Sequence, residues 1–420
     1  MPRWLYYLLL FAVLAPILAW LHVPASLLFI VAGLGIVPLA ALIGQAVEDI
    51  AEHTGDRIGG LLFATFGNAT ELIIGIFALS EGLVDVVRAS IIGSILGNAL
   101  LVLGVAVCVG SIKHGRLYFD SRAGGQYSAL LALCIGGLLL PTVAELLAAR
   151  EQQTQIVERG IMLSDFIAVL LLLGYIASLL FSVFRVGDKQ QGDAEEVGEL
   201  EMAVGPRSRE AIMRLLAYRY HLKQSKGQPG RTGVLRQIDG TLDAILAHET
   251  GASGTTQEGS ASTATHQKPP LWRGILLLTL ATAGVAVLSE ILTSSIEPLT
   301  QALHWSPAFV GLVFIPLIGG LPEYFNTISM ALDKRIGMVL AASAGSSIQI
   351  ALLMAPILVL ISLVMPHRLD LVFSIIELAV LALATFLFSE ITKDGELVWL
   401  EGLLLILLYA MMGGTIFLFG

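Results

Sequence analysis

A chain of 420 residues that is 56% hydrophobic and 14% charged, with a mean hydropathy of +0.82, has too little charge to cover a water-soluble surface. The formal net charge of −9 gives no reason to expect a nucleic-acid partner, and a lipid bilayer is the expected surrounding. Crossing its hydrocarbon core takes about 20 apolar residues in a helix. Eleven such runs occur, at 4–21, 25–47, 58–79, 89–112, 127–149, 161–184, 272–296, 307–331, 335–364, 370–390 and 396–419. Lipid offers backbone amides no partner, so these runs fold as helices, and the period-two alternation of a barrel is absent. The predicted fold is an all-α polytopic membrane protein of about eleven transmembrane helices.

Residues 1–24 carry the first run, which has neither a strong basic start nor a clear small-x-small cleavage site and reads as a retained helix. Five runs follow within 25–184. Cys108 and Cys134 fall inside them and read as small buried hydrophobes rather than ligands or a disulfide. Residues 185–271 form a soluble linker. It opens with an acidic stretch (Asp188, Asp193, Glu195, Glu196, Glu199, Glu201), continues as an amphipathic helix over 206–248, and ends in a Gly, Ser, Thr and Ala tether from Gly251 to Gln267. Five further runs fill 272–420. With eleven crossings, all but Arg88, Arg150, Arg159 and Arg368 of the 24 Lys and Arg lie on the side of the N-terminus and the linker. That asymmetry predicts a cytoplasmic N-terminus and linker and an outer C-terminus, in a plasma or inner membrane.

The two groups of five are repeats. Gly67-Asn68-Ala69-Thr70-Glu71 and Gly319-Gly320-Leu321-Pro322-Glu323 lie 252 residues apart, and the same offset pairs Gly59 with Gly311, Glu81 with Asp333, Gly93-Ser94 with Gly345-Ser346, and Leu100-Leu101 with Leu352-Leu353. An odd number of spans per repeat turns the second copy over, giving a 1 + 5 + 5 plan of inverted repeats with a binding site at the midplane.

Glu71 and Glu323 are the candidate ligands. A charged carboxylate deep in a spanning helix costs on the order of 3 kcal/mol or more, and persists where it is neutral, paired or holding an ion. Gly67, Gly319-Gly320 and Pro322 are expected to break their helices beside the acids and free backbone carbonyls. Two carboxylates with carbonyls make an all-oxygen site for a hard cation such as Ca²⁺. Ser94 and Asn98 in one copy, Ser346 and Gln349 in the other, add neutral oxygens; the alternative for the serines is plain helix packing. Glu290 and Glu377 lie deep enough to be candidates for an access path. No His-Glu-x-x-His or phosphate-loop motif occurs, so neither an enzyme nor an ATP-driven pump is expected, and no bound cofactor.

These segments resemble the Ca²⁺/H⁺ antiporter (cation/proton exchanger) family of the Ca²⁺/cation antiporter superfamily. The resemblance rests on Thr65-Phe66-Gly67-Asn68-Ala69-Thr70-Glu71-Leu72, on Ser90-Ile91-Ile92-Gly93-Ser94, and on Gly345-Ser346-Ser347-Ile348-Gln349-Ile350 followed by Ala355-Pro356. Asp394-Gly395 ahead of Trp399-Leu400-Glu401-Gly402 completes it. It implies eleven helices, an acidic cytoplasmic element after the sixth, and Ca²⁺ held by Glu71 and Glu323 with Asn98, Ser346 and Gln349 nearby. The chain departs from it in the second repeat, where the family usually reads Gly-Asn-Ala-Ala-Glu-His. Gly320 replaces the Asn and Tyr324 the His, and Leu321-Pro322-Glu323 resembles the sodium-coupled branch instead. The function implied is antiport of cytoplasmic Ca²⁺ against H⁺, with Na⁺ as an alternative coupling ion and Mn²⁺ as an alternative cargo. A cation channel is the reading from a different class.

Overall fold

A computed structural model describes residues 5–54, 56–150, 156–182 and 270–419, which are almost entirely helical. The predicted acidic stretch, 206–248 helix and tether lie outside the described residues. In the first half, α1 (Leu5–Trp20) packs on α2 (Ala25–Thr54). The third predicted run is split into α3 (Asp56–Phe66) and α4 (Ala69–Ser80) by a turn at Gly67-Asn68. Then come α5 (Val84–His114), α6 (Ser121–Arg150) and α7 (Ile156–Ser182). The second half holds α8 (Leu271–Ser294), a short α9 (Ile296–Leu303), α10 (Pro307–Leu332), α11 (Ile336–Ser362), α12 (Ile375–Ile391) and α13 (Trp399–Phe419). Eight candidate spans among the described residues are long and apolar enough to cross a membrane. The other three predicted runs correspond to α1, the split α3–α4 and α12.

Contacts at the two ends show how the halves are related. At one end, a Cβ on Gly82 would lie 3.1 Å from His367 Nε2, Arg88 Nη2 donates to Asp370 at 2.7 Å, and the Leu369 amide donates to Ser362 Oγ at 3.0 Å. At the other end, Lys113 Nζ donates to the Leu332 carbonyl at 3.3 Å. So α4 runs toward the Arg88 end while its counterpart α10 runs away from it, and α5 and α11 are likewise opposed. The halves are inverted copies. Two π-helical turns, at Gly97–Val102 and at Ile350–Met354, fall in the same place in each copy, whereas a third, at Val310–Phe314 of α10, has an ordinary α-helix, α3, as its counterpart. A π turn inserts one extra residue per ring and is frequent at functional sites.

Helices α5 and α11 form the centre. Ile91, Ile92, Ile95, Leu96 and Leu100 of one, and Val339, Leu340, Ala344, Ile350 and Ala351 of the other, are buried. In lipid this closeness rests on tight side-chain packing rather than on escape from water, which is why small residues line the contacts. A Cβ on Gly93 of α5 would stand 2.1 Å from the Leu312 carbonyl oxygen, and one on Gly311 of α10 only 2.4 Å from that of Val86. Backbone meets backbone there. At the Lys113 end, β1 (Leu117–Tyr118) pairs antiparallel with β2 (Glu396–Leu397), tying the residues after α5 to those before α13.

One expectation is corrected. Helix α10 runs without interruption through Gly319, Gly320 and Pro322. Proline at 322 removes one N–H and so leaves the Ile318 carbonyl without its helical partner, but the helix continues on both sides of it, packed closely on its neighbours at Gly311 and Gly319. The first copy has no proline there and does break, at Gly67-Asn68.

Candidate cation site

Four elements meet near the middle of the bundle. Asn68 occupies the N-cap of α4 and Glu71 the third position of that helix, where unpaired amides and the helix dipole favour a carboxylate. Glu323 projects from within α10, Asn98 from the π turn of α5, and Ser346 and Gln349 from α11 just before its own π turn.

Ser346 is the hub. Its hydroxyl lies 2.9 Å from Glu323 Oε1 and 2.9 Å from Asn68 Oδ1, with geometry to donate to either, and it accepts from Asn98 Nδ2 at 2.9 Å. Asn68 Nδ2 in turn donates to Gln349 Oε1 at 3.0 Å. One serine thus joins the acid of the second repeat to the turn that carries the acid of the first. The other oxygen of Glu323, Oε2, is buried with no hydrogen-bond partner. Glu71 is itself buried, and a Cβ on Gly319 would sit 2.7 Å from Glu71 Cγ and 3.1 Å from its carboxyl carbon. Glycine at 319 is what lets the Glu71 side chain lie against α10. Gly67 is close to the cluster as well, with Gln349 Oε1 at 3.8 Å from its notional Cβ.

Of the residues singled out from the sequence, Glu71, Glu323, Asn98, Ser346, Gln349, Gly67 and Gly319 come together here. Ser94 is buried on α5 one turn before Asn98, and the cluster's hydrogen bonds do not run through it. In the sequence Asn68 stands out only as part of a motif. Its signal was available, since an Asn directly after a glycine and three residues before a Glu is a helix-start pattern. Of the two acids considered for an access path, Glu290 is exposed, while Glu377 is buried in a capping box with Ser374 that starts α12. That is a structural role.

The chemistry this arrangement offers is specific. Two carboxylates from opposite repeats face a shared set of amide and hydroxyl oxygens, the donor set of a hard cation. Among the described residues no group of three or more His, Cys, Asp or Glu gathers as a fixed metal centre would require.

Comparison with known proteins identifies the family. The family model described as sodium/calcium exchanger protein matches residues 24–184 and 273–417. A Ca(2+)/H(+) antiporter of Synechocystis is 33% identical over 98% of this chain and 96% of its own length. The Ca(2+)/H(+) antiporter ChaA of Bacillus subtilis is 30% identical over 95% and 94%. Among solved structures, native YfkE superposes with a TM-score of 0.71 at 27% identity, covering 99% of both chains. The chain belongs to the sodium/calcium exchanger protein family, where its full-length relatives include Ca²⁺/H⁺ antiporters.

Proposed function

We propose that this chain is a secondary transporter that exchanges cytoplasmic Ca²⁺ for H⁺, with Glu71 and Glu323 as the carboxylates that hold either cargo. The observation that carries the reading is the bridge Glu323–Ser346–Asn68, which couples the acid-bearing segments of two inverted repeats through one hydroxyl. Two carboxylates crowded in an apolar medium repel each other. One Ca²⁺ or two protons relieve that repulsion, and the two loads exclude each other. Charge neutralisation by either load is the condition for the bundle to rearrange. Coupling then follows from competition at one site, without a separate energy source.

The reading includes eleven crossings in a 1 + 5 + 5 plan, with the N-terminus and the linker in the cytoplasm. Lys113, Arg116, Arg122, Lys334, Arg335 and Lys393 support that orientation, since they crowd at the end opposite Arg88 and Arg368. On it, the cytoplasmic end is the one where α3 leaves apolar side chains uncovered, and the outer end is sealed by the Gly93 and Gly311 contacts. Asn98, Gln349 and Ser346 position the ligands, and the carbonyls near Gly67 add oxygens.

Uptake of ⁴⁵Ca²⁺ into proteoliposomes under an imposed pH gradient, without sodium, tests the proposal. Gradient-dependent uptake that vanishes in Glu71→Gln and in Glu323→Gln is the expected result. Full uptake by either folded variant sinks the paired-carboxylate mechanism. Leu321-Pro322-Glu323 and the tyrosine at 324 favour one second reading, sodium coupling, and uptake that appears only under a sodium gradient selects it.

A further inference from the structure

The two repeats are not equivalent at the site. Asn68 of the first copy corresponds to Gly320 of the second by the 252-residue offset. The Asn68 amide fills its position, bonded to both Ser346 and Gln349. At Gly320 there is no side chain, and there is room for a methyl group. A Cβ there would meet nothing closer than 3.9 Å, the nearest atoms being Glu71 Oε1 and a ring carbon of Tyr324 at 3.9 Å and Asn98 Oδ1 at 4.0 Å. Gly319, one residue earlier, is filled to contact by the Glu71 side chain, so the room belongs to position 320 and not to a loose helix. Its polar walls are the two oxygens that belong to the first repeat's acid and to the π-turn amide.

We propose that Gly320 sets the size tolerance of the cation site, by leaving a place between Glu71 Oε1 and Asn98 Oδ1 where the bound divalent cation keeps one of its waters. This deepens the antiport reading and rests on it. A water there has two protein acceptors and the cation as its third partner, which is the number a buried water ordinarily makes. A hard divalent such as Ca²⁺ takes six to eight oxygens in a flexible shell. The second repeat supplies a carboxylate but, at position 320, no counterpart of the Asn68 amide, and the water makes up the difference. A retained water moves outward more easily than a protein oxygen, so Sr²⁺ and Ba²⁺ are accepted alongside Ca²⁺. A methyl group at 320 removes that place and turns an adaptable wall into a fixed one.

The test measures gradient-driven uptake of Ca²⁺, Sr²⁺ and Ba²⁺ in proteoliposomes of the wild-type chain, Gly320→Ala and Gly320→Asn. Thermal shifts of the same purified proteins with each cation serve as a binding readout independent of transport. The alanine variant meets only ordinary van der Waals contacts and is expected to fold. The expected result is wild-type uptake of all three ions, with Ba²⁺ disfavoured relative to Ca²⁺ by about tenfold in both variants, the scale on which a pocket discriminates one methylene. Unchanged ion ratios in both variants overturn the inference while leaving antiport standing. A wild-type chain that transports and binds no divalent cation overturns both.

Discussion

The same stretch of the two repeats is packed in opposite ways. Ile58 and Val310 hold equivalent positions, as do Phe63 and Ile315, yet Ile58 is 50% exposed and Phe63 47%, against 0% and 1% for their partners. The glycines repeat the contrast. Gly93 and Gly311 bring α5 and α10 together backbone to backbone across the repeats, whereas Gly345 has nothing within 4 Å of a notional Cβ, and Gly59 is tight, at 2.7 Å, only against Ala51 of α2 in its own repeat. Sequence similarity at the glycines is therefore compatible with two packings. In an inverted-repeat protein, equivalent residues that pack tightly in one copy and loosely in the other are the kind that can exchange their packing.

The largest expected effect breaks the closed interface. Gly93→Ala puts a methyl 2.1 Å from a backbone oxygen, and no rotamer relieves it. Overpacking of that kind costs about 1–3 kcal/mol, and here it forces α5 and α10 apart. In a background of Cys108→Ser and Cys134→Ser, a reporter Ser306→Cys at the Arg88 end should then label faster with a membrane-impermeant maleimide. Unchanged labelling would mean that this contact is not the seal.

Next comes the hub. Ser346→Ala removes the hydroxyl shared by Glu323, Asn68 and Asn98, and leaving buried partners unpaired costs about 1–3 kcal/mol. Half-saturating Ca²⁺ in the uptake assay should rise about tenfold, whereas Ser94→Ala should change it far less. Equal effects would restore the symmetry that the hydrogen bonds deny.

Gly345→Ala sharpens the comparison from the open side. With nothing near its Cβ, the variant should unfold at the wild-type temperature or slightly above, given the helix propensity of alanine over glycine of about 1 kcal/mol. Its transport should nevertheless slow, because the methyl obstructs the packing that the opposite state requires. Wild-type turnover would show that Gly345 never enters a tight contact.

The smallest effect belongs to the ion pair at the sealed end. Arg88 and Asp370 are partly exposed, with side-chain exposures of 21% and 28%. Their coupling in a double-mutant cycle of Arg88→Met and Asp370→Asn, read by thermal unfolding, should be about 1 kcal/mol or less. A larger value would make the pair a principal lock rather than an accessory to the glycine seal.

Much of this was legible in the chain. The eleven apolar runs correspond to described helices within a few residues, and the 252-residue offset located the acids and the interfacial glycines. Two things were not. Gly319-Gly320 and Pro322 carry the composition of a broken helix, but whether a helix breaks there is decided by what presses against it, and that is tertiary. The difference between the Gly93 contact and the unoccupied face of Gly345 has no counterpart in sequence, since both lie in the same Gly-Ser pair of the repeat. Asn68 was visible but unweighed, because its contribution depends on Ser346 and Gln349, which lie more than 270 residues away.

The small sheet that pairs Leu117–Tyr118 with Glu396–Leu397 has a consequence for how the protein is made. Residues that leave the ribosome early wait for a partner strand that leaves it near the end, and Arg116 waits likewise for Glu396. Contacts of such long sequence separation close slowly, and until they close the early segment is an unpaired edge exposed to proteases and to other chains. Biosynthesis thus has a late checkpoint: nascent chains arrested before Trp399 lack the helix that anchors this clasp, and should be degraded faster than chains that extend beyond it.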